Sequence, residues 1–123
     1  MKTKFRGTTP IITVRDISRS VDFYVNSLGF KLDFIYGEPD FYAGLYRDDV
    51  EIHLIDKNSP NARQPAGNAN LSILTDEVDN LYDNLKDQGV VVLGAPEDRD
   101  YGLRDFSCKD LDGNIFNFGV ESD

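Results

Sequence analysis

The sequence predicts an α+β fold made of two β-α-β-β-β halves, and three observations carry that expectation. Asp16 and Gly29 stand thirteen residues apart, and Asp76 and Gly89 repeat the spacing. Each Asp follows a short β-rich run, Ile11-Ile12-Thr13-Val14 in one case and Leu71-Ser72-Ile73-Leu74 in the other. Each Gly leads into a further run, Phe30 to Ile35 and then Val90 to Leu93. A strand–helix–strand unit is thus duplicated within 123 residues. A groove built by a duplicated unit should draw residues from both copies.

The first helix is expected from Ile17 to about Leu28. Asp16 is a suitable N-cap, since its carboxylate accepts hydrogen bonds from free amides of the first turn. Ile17, Val21, Tyr24, Val25 and Leu28 form an apolar stripe of helical period. Gly29 stops the helix, because glycine adopts the left-handed conformation without a Cβ penalty. The second helix repeats the design, with Asp76 near the cap, Val78, Leu81, Tyr82 and Leu85 on the stripe, and Gly89 at the end. Strands should follow at about Lys31–Tyr36, Phe41–Tyr46 and Val50–Ile55 in the first half. In the second half they should fall at about Val90–Leu93, Arg104–Lys109 and Ile115–Val120. Asp48-Asp49 suits a tight turn, and Asp112-Gly113 is a strong hairpin signal. Asp56 to Asn68 is polar, contains Pro60 and Pro65, and reads as the link between halves. Gly94 to Gly102 reads as an acidic loop.

The length suits one domain, 1–123, with modules at about 7–58 and 69–121. No run approaches the roughly 20 apolar residues of a membrane span, so no membrane is expected as a partner. Met1 to Arg6 has charge but no apolar core, unlike a secretory signal. The single cysteine, Cys108, excludes an internal disulfide and suits a reducing cytoplasm. A net charge of −9 argues against nucleic acid. It would steer a cationic ligand, although acidity of this size is common among soluble proteins.

Three stretches together resemble one family over nearly the whole chain. They are Pro10 to Tyr24 followed by Leu28-Gly29-Phe30, then Tyr42 to Asp49, and finally Tyr101 to Phe106 with Asp110 to Phe118. This combination is similar to the vicinal oxygen chelate superfamily, which includes glyoxalases, extradiol dioxygenases and bleomycin-resistance proteins. The resemblance implies two βαβββ modules curling a mixed sheet around a cleft, and a homodimer that exchanges modules or strands. It also implies a metal held by His and Glu, but the corresponding positions carry Thr9, Asn70 and Asn117 here. Only His53 remains at the fourth, with Glu51 as its neighbour on the same face. Neutral Thr and Asn are weak ligands for a transition metal. The expectation is therefore no metal, no cofactor and no catalytic residue.

His53 is the only histidine. Strand alternation sets Glu51, His53 and Ile55 on one face, toward the cleft, and Val50, Ile52 and Leu54 on the other, toward the helices. Asp110-x-Asp112-Gly113-Asn114 fits a hairpin better than a calcium loop, whose sixth position needs glycine and here holds Ile115. Cys108 shares a face with Phe106 and reads as a buried, inert thiol. Among the aromatic residues, Phe41 and Tyr46 read as core. Phe34, Tyr42 and Tyr101 match positions that line the drug groove in bleomycin-resistance proteins, and aromatic faces suit planar or cationic ligands. The expected ligand-binding set is Phe34, Tyr42, His53, Ile55, Asn70, Tyr101 and Asn117. The expected function is metal-independent sequestration of a cationic small molecule of the bleomycin type. The alternatives are a glyoxalase- or dioxygenase-like enzyme using His53 and Glu51 with a rearranged ligand set, and a binder of an unrelated metabolite.

Overall fold

The computed structural model describes residues 2–122. Chain order is β1 (Ile11–Val14), α1 (Ile17–Asn26), β2 (Lys31–Gly37), β3 (Asp40–Arg47) and β4 (Val50–Asp56), followed by β5 (Asn70–Leu74), α2 (Asp79–Asp87), β6 (Val91–Val92), β7 (Glu97–Asp98), β8 (Leu103–Lys109) and β9 (Ile115–Glu121). The strands form two mixed sheets. One has the order β1-β4-β3-β2; the other has the order β5-β9-β8-β6, with β7 added on β8. In each, the first strand runs parallel to the last strand of its half, and the remaining pairs are antiparallel. The fold is α+β, as the duplicated pattern requires.

Local chemistry explains most of these elements. The Asp16 carboxylate accepts from the Arg19 amide at 3.1 Å and caps α1. Gly29 takes φ +74° just past the end of the helix, and Arg47 Nη1 donates to the Leu28 carbonyl at 2.8 Å. Gly113, at φ +95°, turns the chain between β8 and β9. Here Asp110 Oδ1 accepts from the amides of Asp112 and Asn114, at 2.8 and 2.9 Å.

Three expectations need correction. Asp76 does not cap α2: the N-cap residue is Val78, which makes no side-chain cap bond, and Glu77 Oε2 accepts from the Asn80 amide instead. The acidic loop holds a short strand, because Glu97 and Asp98 pair with Asp105 and Arg104. Tyr46 is 40% exposed rather than core; it stands opposite Glu51, on the face away from the helices.

One apolar core serves both halves. Ile12, Val14, Ala43, Leu45, Ile52 and Leu54 of the first sheet join Ile17, Val21 and Tyr24 of α1, and with Phe106, Cys108, Phe116 and Phe118 of the second sheet they form one cluster. Tyr24 is central to it. Its ring meets Phe116 edge-on at 5.7 Å, and its hydroxyl donates to Asp110 Oδ2 at 2.6 Å. Burial, and then the Asp110 carboxylate, push the phenol well above its ordinary value, so it stays a donor. The Arg15 backbone and guanidinium both reach Asp112 Oδ1. Asn114 spans from Asp110 to the Thr13 carbonyl. Burial, followed by Asp110, lifts the Cys108 thiol to about 12, which leaves it unreactive. Each sheet keeps its other face free of this core.

Candidate functional site: two bare sheet faces

Cross-strand partners in a sheet share a face, so the register identifies what each bare face carries. On the first sheet Ile11 pairs with His53 and Thr13 with Ile55. Across β4 and β3, Tyr42 pairs with Ile55, Gly44 with His53 and Tyr46 with Glu51. Across β3 and β2, Phe34 pairs with Gly44 and Tyr36 with Tyr42. Phe34, Tyr42, His53 and Ile55 are therefore assembled on one surface by three neighbouring strands. Ile55 is 4% exposed and forms the floor.

The aromatic rings are packed on each other. Phe34 and Tyr42 lie nearly parallel, 13° apart, with centroids 6.2 Å apart. Both rings meet His53 edge-on, at 5.4 and 5.2 Å. The packing depends on Gly44, since a Cβ there would overlap the Phe34 ring. The Tyr42 hydroxyl lies 2.7 Å from His53 Nδ1. Burial, and then Glu51, raise the Tyr42 phenol above its ordinary value, so it stays protonated. The second ring nitrogen of His53 is Nε2. That atom is buried without a hydrogen-bond partner; Glu51 Oε2 is 3.6 Å away, too far for one. Thr9 Oγ1 donates to the other Glu51 oxygen at 3.3 Å.

The second sheet carries the remaining candidates. Asn70 pairs with Ile115 and Ser72 with Asn117, and Asn117 in turn pairs with Ser107, to whose hydroxyl it donates at 3.0 Å. Asp105 lies on the same face and is buried, and the Tyr101 hydroxyl and Arg99 Nε both donate to it. Tyr101 is 63% exposed. Within one chain no hydrogen bond or ring contact among the described residues joins Asn70, Tyr101 or Asn117 to the aromatic set. Each sheet separates the shared core on its helix side from these faces. Grooves of about 410 and 620 Å³ open elsewhere, one beside Arg47, Asp48 and Thr75 and the other beside Arg15, Pro39 and Asn58.

Sequence reasoning missed Gly44, Asp105 and Arg99. A glycine inside an apolar strand is itself a sign of close approach, so Gly44 was discoverable. Asp105 was not, because its role appears only once Arg99 and Tyr101 fold back upon it.

The residues do not fit a divalent metal. Thr9 is engaged with Glu51, the Asn117 amide with Ser107, and both are neutral donors. Among the described residues, no three His, Cys, Asp or Glu side chains gather into a ligand set. No helix among them is long and apolar enough to cross a membrane.

Paired βαβββ units, each with one bare sheet face, set the fold, and comparison with known proteins identifies the family. The chain belongs to the Glyoxalase/Bleomycin resistance protein/Dioxygenase superfamily, whose profile matches residues 8–118. It is 30% identical over 124 aligned residues to a bleomycin resistance protein of Geobacillus stearothermophilus, covering 89% of this chain and 92% of the relative. Its fold is similar to that of the bleomycin-binding protein from bleomycin-producing Streptomyces verticillus, solved with copper(II)-bleomycin: TM-score 0.75, 25% identity, covering 98% of this chain and 99% of that one. It is also similar to TnmS3, an antibiotic binding protein from Streptomyces sp. CB03234, with TM-score 0.78, 26% identity, and coverage of 98% and 100%.

Proposed function

We propose that the protein binds and sequesters a cationic, partly planar small molecule of the bleomycin type, without metal and without turning it over. The observation that carries this role is the Phe34–Tyr42–His53 face seated over Gly44. Rings held this way offer stacking area at little cost in conformational entropy. The exposed Glu51 carboxylate beside His53 supplies a polar point for orientation. The net charge of −9 would draw a cation toward the protein. The names of the bleomycin-binding relatives support the ligand class. The site would be a groove in a cytoplasmic homodimer, walled by the bare face of the first sheet and by that of the second with Asn70, Tyr101 and Asn117. Two such grooves would form per dimer.

Calorimetry with metal-free bleomycin tests the proposal. Saturable binding is expected, and Phe34→Ala should weaken it about thirtyfold, the usual effect of losing a buried aromatic anchor. Absence of saturable binding in the wild type would overturn the bleomycin assignment. A panel of metabolites would then be the next titration. Elemental analysis finding close to one transition metal ion per chain would overturn metal independence.

A further inference from the structure

Tyr101 raises a positional problem. It lies in the turn between β7 and β8, closed by the Gly102 amide donating to the Arg99 carbonyl at 3.3 Å. With its ring largely exposed, nothing apolar fixes its direction. A free tyrosine on a turn samples several rotamers, and fixing one at the moment of binding costs free energy. Its hydroxyl, however, is held. It donates to Asp105 Oδ2, and Arg99 Nε donates to Oδ1 of the same carboxylate at 2.8 Å. Arg99 is itself bridged to Glu97 at 3.2 Å, and Glu97 pairs with Asp105 across the sheet. The Asp105 side chain is 4% exposed, so the anchor is fixed while the ring it holds projects outward.

We infer that Asp105 is the positioning residue of the binding face: it fixes Tyr101 in one orientation, so that the ring stands as a preformed wall before the ligand arrives. The inference rests on the proposed ligand-binding role of that face, but the tether can be tested without ligand. Burial alone would push the Asp105 carboxyl up. The hydrogen bonds from Tyr101 and Arg99, the Arg99 charge and Asn117 outweigh burial and bring it below its ordinary value. The same bond raises Tyr101, with burial and the Asp105 charge adding to it. Both partners are therefore held in the protonation states that the tether needs.

The experiment compares wild type, Tyr101→Phe, Asp105→Asn and the double variant. In protein labelled with 13C at the tyrosine Cζ, the resonance missing from Tyr101→Phe identifies Tyr101. In wild type that phenol should ionise above the ordinary tyrosine range, and in Asp105→Asn it should return to that range. An unchanged titration would overturn the tether. In calorimetry with metal-free bleomycin, Tyr101→Phe should weaken binding about fivefold, the net worth of one hydrogen bond, and Asp105→Asn, which also loses the ion pair with Arg99, at least as much. The double variant should be no weaker than Asp105→Asn alone, because Tyr101→Phe removes a link which that variant has already lost. Additive losses would overturn the inference, since Asp105 would then act by some other route. If Asp105→Asn does not fold, Tyr101→Phe decides: it keeps the ring and removes only the tether, so wild-type affinity would refute a positioning role. Should wild type fail to bind bleomycin at all, the proposed ligand falls, while the Cζ titration still accepts or refutes the tether.

Discussion

Gly44 is where the aromatic face is most sensitive to a single atom. Its position opposite both Phe34 and His53 leaves a hollow that the Phe34 ring fills. A methyl group there must push the ring outward. Phe34 is partly exposed, so the ring has room to swing, and the core on the other side of the sheet is undisturbed. Gly44→Ala should therefore cost only about 1 kcal/mol in urea unfolding yet lose as much bleomycin affinity in calorimetry as Phe34→Ala. A large loss of stability with affinity intact would show that the ring stack is not the binding surface. Tyr46 teaches the converse lesson about residue-level reading. An aromatic residue in an apolar strand looks like core, but strand alternation places it beside Glu51 on the bare face, and only knowledge of which face the helix covers separates the two outcomes.

At the scale of elements, the two helices share a spacing but not a mechanism of initiation. The Asp16 side chain bonds into the first turn of α1, whereas α2 begins at Val78 with no side-chain cap. Asp16→Ala should lower stability by about 1 kcal/mol, and Asp76→Ala should change it by less than about 0.5 kcal/mol, both measured by chemical denaturation. Equal losses would mean that Asp76 has a capping role after all. The long strands and α1 were legible in the sequence because their signals are local: an apolar stripe, an Asp before it, a Gly after it. The acidic loop was not. Glu97 and Asp98 become a strand only by pairing with Asp105 and Arg104, a contact that composition does not encode. The site was legible by halves. The proximity of Phe34, Tyr42 and His53 was readable from strand alternation, whereas the hydrogen bonds of Tyr101 and Arg99 to Asp105 were not, because nothing in those ordinary charged residues announces them.

For the whole molecule, the exposed residues set the expectation of assembly. Every residue of β2 from Lys31 to Tyr36 is exposed, including Leu32, Phe34, Ile35 and Tyr36, and Leu74 and Tyr101 are exposed on the other half. Apolar area of this kind signals a partner surface, and symmetric pairing is the commonest solution. Light scattering at micromolar concentration should give twice the chain mass, and a stable monomer would remove the shared-groove arrangement. The bond between Tyr24 and Asp110 carries a different consequence, one of separability. Its two members lie 86 residues apart, one on α1 of the first half and the other in the turn between β8 and β9 of the second. A first half cut free at the linker would leave a buried phenol without its acceptor, and a second half would leave a buried carboxylate without that donor. The halves repeat in sequence, yet they are not autonomous in folding, and neither should stand alone once excised.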